Sequence, residues 1–446
     1  MKKIIVIGGG AAGMTAAVFA AGPDVQVDLY DKNEKLGKKI YITGKGRCNF
    51  TNDCETEDWA SHVCTNSKFM YSSFHSFNNK DVLEFFSSHG MPVKIERGQR
   101  AFPVSDHASD VTNVLAQEMK RRKVHIHLNR GVKNVLSEET ESPPEEVFCD
   151  GGKKQSGRAV HRRITGVELA DGTKVPADAV IVCTGGLSYP STGSTGDGYC
   201  FAQENGHSVT ECSPSLVPVN AAEEDIKTMQ GLSLKNVRVW IRDGKKTLYD
   251  DFGEMMFTHF GVTGPLILTA STKIQKELKK KNLTLHVDLK PAITQKQLDD
   301  RFLREFAGAK NKQLKNVLGT LYPSTMVPVI IQRSGIPDGT EINAVTKEQR
   351  RRLCSLTKDF TVTLTSLRGY SEAVITRGGV SVRQIDPASM ESRLVSGLYF
   401  AGEVLDVDAV TGGFNLQIAW STGAAAGRSA GSTGGYIQTR RRNHEF

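Results

Sequence analysis

What this chain lacks narrows it before any motif is read. Its 446 residues contain no apolar run long enough to cross a bilayer, so no membrane is expected as a partner. The cysteines, at 48, 54, 64, 149, 183, 200, 212 and 354, never form C-x-x-C and show no zinc-ligand spacing. That absence argues against a disulfide reductase, and no metal is expected. Scattered thiols in a large chain fit a reducing compartment without a disulfide framework, so the expected location is cytoplasmic. The net charge is +8, which raises the question of polyanionic partners. No aromatic residues are read as interleaved with a basic stripe, so no nucleic acid is expected as a partner. Part of the charge sits at Arg440, Arg441 and Arg442 behind a Gly/Ser stretch, read as a frayed, solvated terminus.

Glycine is what the chain has in excess. Its 43 glycines gather in short motifs rather than in a low-complexity tract, the arrangement expected where backbone must approach a ligand. The first cluster lies in "KKIIVIGGGAAGMTAAVFAAG", Lys2 to Gly22. A basic, then apolar, then small-residue stretch also describes a secretion signal. Gly8, Gly9 and Gly10, however, interrupt the apolar run early enough to spoil a signal helix. The alternative explains them. Ile4 to Ile7 reads as a buried parallel strand, and Gly8-x-Gly10-x-x-Gly13 opens a helix predicted over Met14 to Ala21. Gly8 permits the tight turn, Gly10 lets a pyrophosphate near the backbone, and Gly13 lets helix and strand pack closely. The phosphates then face the positive end of the helix. A second strand, Val25 to Tyr30, ends in Asp31, 18 positions beyond Gly13, where a carboxylate can accept from a ribose hydroxyl.

The glycine motif does not by itself choose between dinucleotides. Further on, "GVKNVL" and "ITGVELADGTKVPA" alternate like a β-meander turning at Asp171-Gly172. "DAVIVCTGG" (178–186) and "GLYFAGE" (397–403) are two more buried strand runs, the latter followed by a Gly-rich start and an Ala-rich helix. The chain is therefore expected to leave the nucleotide domain and return to it. Between about 191 and 367 the pattern changes to short strands with a turn at Asp243-Gly244, then amphipathic helices, then "TVTLTSL" at 361–367. This reads as an inserted β-barrel or sandwich with a small helical cap, a place for a substrate lid. The polar stretch 141–163, with paired prolines, reads as a long exposed hairpin loop. "GSTGDG" follows a Pro-Ser turn rather than a strand, so no separate NAD(P)H domain is read.

Four segments carry a resemblance: "GKKIYITGKGRCNFTN", "PSTGSTGDGY", "GEMMFTHFGVTGP" and "GLYFAGEVLDVDAVTGGFNLQIAWSTGAAAG". Together they resemble the BaiN/RdsA (YhiN-type) family of NAD(P)/FAD-dependent oxidoreductases, over residues 1 to about 430. The resemblance implies an α/β fold: a Rossmann-like FAD-binding domain, parallel sheet plus β-meander, with an inserted β-barrel and helical cap. The expected segments are 1–190 and 368–446 for the FAD domain, 191–290 and 356–367 for the β-rich insert, and 291–355 for the cap. It implies FAD, taken as non-covalent because no His or Cys sits in a recognisable attachment context, with Gly8, Gly10, Ala11, Ala12 and Gly13 at the pyrophosphate and Asp31 at the adenosine ribose. Lys32 and Lys39 would lie near the adenosine and phosphates. Gly44, Arg47, Cys48 and Asn49 would line the ribityl chain and ring, and Val132 would meet the adenine through its backbone. Thr184, Gly185 and Gly186 would pass the adenosine side, and Gly402 and Glu403 the pyrophosphate and ribityl chain. Gly412, Gly413, Asn415, Leu416 and Gln417 would start a helix aimed at the flavin pyrimidine.

The chain departs from the family pattern at Ala409-Val410. NAD(P)H is implied as electron donor and a small, largely apolar substrate as acceptor, in some members through an activated carbon–carbon double bond. His259, Arg377, Tyr370 and Arg100 are considered as proton or hydrogen-bond donors, with none assigned as catalytic. A flavoprotein acting on RNA and a flavin-binding module without turnover are the alternatives. Neither substrate identity nor oligomeric state is read from the sequence.

Overall fold

The computed structural model describes residues 1–140 and 161–432. The basic tail at Arg440 to Arg442 and positions 141–160 of the expected loop lie outside the described residues. Residues 161–163 instead begin a strand, His161–Leu169. The chain divides into two compact units, Met1–Ser213 with Ile375–Phe446, and Pro214–Val374. The first crossover falls at Ser213 rather than 190. Residues of "PSTGSTGDGY" supply a short 3-10 turn and the helix Asp197–Glu204 before the chain leaves the first unit.

The first unit is built on a five-stranded parallel sheet in the order Leu398–Phe400, Ala179–Val182, Lys2–Ile7, Val25–Tyr30, His125–His127. The three runs read as buried strands are its three central and edge members on one side. Ile4, Val6, Val180, Ile181 and Val182 are fully buried, because the first and last helices and the meander strand His161–Leu169 all pack on the sheet. The expected meander is present: Val132–Thr140 pairs antiparallel with His161–Leu169, which pairs with Lys174–Pro176. The first helix runs Ala11–Ala20, starting three residues ahead of the predicted Met14, because two alanines continue the turn without steric cost.

Two helices bring the ends of the chain together. In the C-terminal helix Phe414–Gly431, Gly423, Gly427 and Gly431 recur every four residues along one face. A Cβ there would stand 2.5 Å from Ala12 O, 2.4 Å from Ala16 O and 2.5 Å from Ala20 O. The two backbones therefore touch through small residues, and the C-terminal helix is docked by shape rather than by large side chains.

The second unit is a closed six-stranded antiparallel barrel, with strands Val219–Ala221, Gly261–Thr263, Lys246–Phe257, Ser233–Asp243, Leu283–Asp288 and Phe360–Leu367. Val239, Ile241, Leu285, Val287, Val362 and Leu364 are completely buried, as alternation in a small filled barrel requires. Of barrel and sandwich, the fold is thus the barrel. The helices Gln295–Ala307 and Lys347–Lys358 begin with reciprocal capping boxes, Thr294 with Gln297 and Thr346 with Gln349. One sequence expectation fails here. On the strand Ser233–Asp243 the two-residue period places Arg238, Trp240 and Arg242 on one face, so an aromatic does interleave with basic residues.

Among the described residues, no helix is long and apolar enough to cross a membrane. No group of three or more His, Cys, Asp or Glu is arranged to hold a metal.

Candidate functional site

The glycines of the first turn divide into closed and open positions. Gly8 has φ +101, and its amide donates to Tyr30 O at 2.8 Å. A Cβ on Gly13 would stand 1.8 Å from Gly8 O, so helix and strand meet at van der Waals limit. At Gly10 nothing lies within 4 Å of the Cβ position. Gly10 caps the helix without a side-chain bond, and no acidic residue sits in the first turn. The head of that helix thus borders open space at Gly10, at the positive end of a helix dipole.

Asp31 stands at the end of the second strand, 8% exposed. One carboxylate oxygen accepts from the Gly9 amide at 2.6 Å; the other accepts from the Asn33 amide at 2.7 Å and its side chain at 2.9 Å. The acid therefore braces the glycine turn, a duty its spacing alone does not reveal. Lys32 pairs with Asp197 at 2.6 Å on the surface. Val132 begins its strand opposite Leu169.

Lys39 and Glu403 meet deeper in the unit, at 2.6 Å. Glu403 Oε1 also accepts from the Ser188 hydroxyl at 2.6 Å and the Thr376 amide at 2.8 Å, while Lys39 Nζ touches Ser188 Oγ. The Thr376 hydroxyl accepts from the amides of Leu187 and Ser188 at 2.7 and 3.0 Å. One carboxylate thus joins the loop after the strand Val25–Tyr30, the loop after the 179–182 strand and the returning chain. Gly186 is held there, since a Cβ on it would stand 2.4 Å from Thr376 Oγ1. Gly185 backs onto Ser194, and Gly402 onto Ala12. Sequence reasoning found Lys39, Gly186 and Glu403 but missed Ser188 and Thr376. Thr376 sits in "VITRGGV" with no motif around it, and only the return of the chain gives it partners.

The segment 44–49 is a tight loop. Gly44, Lys45, Gly46 and Cys48 all have positive φ, which costs on the order of 1 kcal/mol at a non-glycine residue. Cys48 is fully buried, and burial pushes its thiol up to about 12, so it is a packed residue rather than a nucleophile. Arg47 does not present a free charge. It pairs with Glu96 and with Asp106 at 2.7 Å, and its guanidinium lies 4.3 Å from the Phe102 ring centre. The bonds to Arg47 and Lys94 hold Glu96 and Asp106 below the usual carboxylate range. Asn49 Oδ1 and Thr184 Oγ1, by contrast, are buried with no hydrogen-bond partner among the described residues.

At the C-terminal helix, Gly413 is the cap, with φ +98, and a Cβ on it would stand 2.4 Å from Thr51 O. Gly412 O accepts from Asn52 Nδ2 at 3.0 Å. Asn415 accepts from the Ala409 amide at 2.9 Å and donates to the carbonyls of Ala409 and Val410. The loop at the family departure is therefore held by a side chain of the helix that follows. Gln417 is fully buried and bonded to Thr51, Phe77 and Ser421, which makes it a brace between segments. Leu416 packs on the core. Of the four donor candidates, Arg100 and Arg377 belong to the first unit, and His259 and Tyr370 to the second.

Parallel sheet, glycine turn and a returning C-terminal helix define a Rossmann-type nucleotide-binding protein with an inserted barrel. The model of the HI0933-like protein Rossmann domain matches residues 2–429. The chain belongs to the HI0933-like Rossmann family, the BaiN/RdsA (YhiN-type) group that its four segments resemble. It is 32% identical to a 3-dehydro-bile acid delta(4,6)-reductase of Clostridium scindens, over 96% of this chain and 99% of that one. It is 31% identical to a ribosomal RNA dihydrouridine synthase of Escherichia coli, over 94% of this chain and 95% of that one. Among solved structures it is similar to a 3-ketosteroid-delta4-(5alpha)-dehydrogenase from Rhodococcus jostii, with a TM-score of 0.51 and 12% identity over 97% of each chain. That likeness shows the shared fold.

Proposed function

We propose that this protein is an FAD-dependent oxidoreductase that takes hydride from NAD(P)H and passes it to an activated carbon–carbon double bond. The observation that carries the reading is the contrast within the first turn. Gly8 and Gly13 are glycines because backbone crowds them, whereas Gly10 is bare toward open space at a helix head. A pyrophosphate is the group that such a surface accepts. Asn49 Oδ1 and Thr184 Oγ1 support the same fit, since an unanswered buried polar atom costs about 1–3 kcal/mol that a ligand donor can offset.

In this reading Gly10, Ala11 and Ala12 hold the pyrophosphate through their amides. Asp31 orients the adenosine ribose with lone pairs beyond those given to Gly9 and Asn33. Gly186, Gly402 and Gly413 let the segments around the site pack closely, since a Cβ on each would run into Thr376, Ala12 or Thr51. FAD bound there supplies hydride transfer at its ring. The C-terminal helix presents its positive end from Gly413, which stabilises negative charge by about 0.3–1 kcal/mol in an exposed setting and more when dry. Arg47, already neutralised by two carboxylates, shapes the loop rather than binding phosphate.

The names of the two curated relatives support the substrate class. A 3-oxo steroid unsaturated at positions 4 and 6 and a uridine ring each offer a double bond conjugated to a carbonyl. Reduction of either requires hydride at one carbon and a proton at its neighbour.

The test is direct. Gently purified protein should be yellow, release FAD on denaturation, and bleach anaerobically with NADH or NADPH. An enone should then restore the colour. Colourless protein that refuses added FAD would end the proposal. Tight flavin that neither nicotinamide reduces would leave the binding module without turnover.

A further inference from the structure

One imidazole of the nucleotide-binding unit has no duty in the flavin reading. His62 closes the 3-10 turn Trp59–His62. Trp59 anchors that turn, 1% exposed and stacked on Phe74 with ring centres 4.1 Å apart. The next residues, Val63–Thr65, pair antiparallel with Asp408–Ala409, placing Val63 opposite Ala409 and Thr65 opposite Asp408. The His62 carbonyl accepts from the Val410 amide at 3.0 Å. Its ring lies on the Phe414 ring, with centres 4.2 Å and planes 18° apart. Phe414 is buried and is the first residue of the C-terminal helix, directly after the Gly413 cap. The return of the chain thus sets His62 against both the loop at Ala409-Val410 and the head of that helix.

Charge around the ring is sparse. His62 is half-buried, and among the described residues its ring nitrogens make no hydrogen bond. Exposed Asp58 opens its own turn, and exposed Lys68 belongs to the following turn, Ser67–Met70. The ribbon adds half-buried Cys64 and buried Asp408, the latter opposite Thr65 rather than His62. The first turn of the C-terminal helix contains no acid. Burial holds the imidazole below its ordinary value against the pull of Asp58, and the positive end of the helix acts in the same direction as burial. The resting ring is therefore neutral at pH 7. The Phe414 face beneath it still suits a cation, because an aromatic quadrupole attracts positive charge within about 6 Å. A negative charge arriving at the helix head would reverse the balance.

We infer that His62 is a redox-linked proton site, which takes up a proton as a flavin at the head of the C-terminal helix becomes negative and releases it on reoxidation. This rests on the flavin reading above and deepens it. A nicotinamide gives up two electrons and one proton as hydride, breaking its own C–H bond and forming an N–H bond on the flavin. One negative charge remains there, and the proton that His62 binds comes from solvent. When hydride leaves for the acceptor the charge leaves with it, and the His62 proton returns to solvent. Opposite charges favour each other's formation. Reduction therefore tightens proton binding at His62 and, by reciprocity, protonation raises the reduction potential.

The experiment measures the flavin reduction potential of the full holoprotein from pH 5 to 8, for the parent, His62→Gln and His62→Arg. Parent and His62→Gln should coincide at pH 8, where the imidazole is neutral whether or not the flavin is reduced. With roughly tenfold tighter proton binding in the reduced state, the parent should stand about 30 mV above His62→Gln at pH 5. His62→Arg keeps a planar cation that stacks on an aromatic face, so it should stand above His62→Gln by a similar amount at pH 8 as well. If both variants fold but hold flavin poorly, NMR of the parent decides. The histidine signal absent from His62→Gln should then report about tenfold tighter proton binding with the flavin reduced than oxidised. A difference between parent and His62→Gln that is constant from pH 5 to 8, or absent throughout, overturns the inference and leaves the flavin reading standing. So does His62→Arg matching His62→Gln at pH 8, or a His62 signal that titrates identically in both flavin states. Protein that takes up no FAD overturns both.

Discussion

Lys39 Nζ and Glu403 Oε2 stand 2.6 Å apart across 364 positions of chain. Both side chains are about four-fifths buried, and the carboxylate also holds Ser188 and the Thr376 amide. The pair fastens the N-terminal half of the Rossmann unit to the segment that returns after the barrel. Glu403→Gln keeps the length and removes the charge. Its expected effect is roughly a tenfold weaker FAD affinity by fluorescence titration, with a smaller change in melting temperature. Lys39→Met should do the same, and the double variant should fall well short of the sum, since directly coupled residues interact by ~0.5–3 kcal/mol. Additive losses would mean that the two residues act independently.

Gly10 and Gly13 separate binding from folding. Gly13→Ala places a methyl 1.8 Å from a backbone oxygen, and overpacking of this kind costs typically ~1–3 kcal/mol, occasionally more. It should lower the melting temperature with or without flavin. Gly10→Ala meets nothing within 4 Å. Apo protein carrying it should melt like the parent, yet hold FAD at least tenfold more weakly. Unchanged FAD affinity in Gly10→Ala would place the pyrophosphate elsewhere.

Gly427→Ala tests the contact between the first and last helices. On an isolated helix this change would stabilise by about 1 kcal/mol. Here the new methyl would stand 2.4 Å from Ala16 O, so the expected sign is reversed. Urea unfolding should show a lower midpoint. A higher midpoint would show that the two helices can part at little cost.

Two buried groups make stability fall in acid. Burial lowers the His207 pKa to about 4. The unfolded chain therefore binds a proton between its ordinary 6.5 and about 4 that the folded chain does not, and stability falls as pH drops through that window. Glu118, held by Arg121 and Arg122, has its pKa lowered to about 2. Its contribution is full above about 4.5 and is lost as pH falls toward 2. His207→Gln should reduce the loss of stability between pH 6.5 and 4, and Glu118→Gln should destabilise at pH 7 by ~1–3 kcal/mol but less at pH 3. Denaturant midpoints measured across pH 3–7 check both signs.

Much of the architecture was legible in the order of residues. Ile4–Ile7, the spacing of Gly8, Gly10 and Gly13, and the acid at 31 are local patterns. A strand's burial and a turn's backbone geometry depend on residues within a few positions, so they can be read before the fold is known. The meander and the alternating barrel strands were readable for the same reason. Alternation also put Trp240 between Arg238 and Arg242 in plain sight, but only the pairing of strands places His286 against its ring.

Sequence by itself determined the elements, the glycine turn and the family. Tertiary structure alone decided that Asp31 braces Gly9, that Gln417 is a strut, that Arg47 is spent on Glu96 and Asp106, and that Ser188 and Thr376 answer Glu403. The physical reason is that a side chain's partner is set by where distant segments of chain return. Hydrogen bonds and ion pairs across hundreds of positions leave no periodic trace along the chain that makes them.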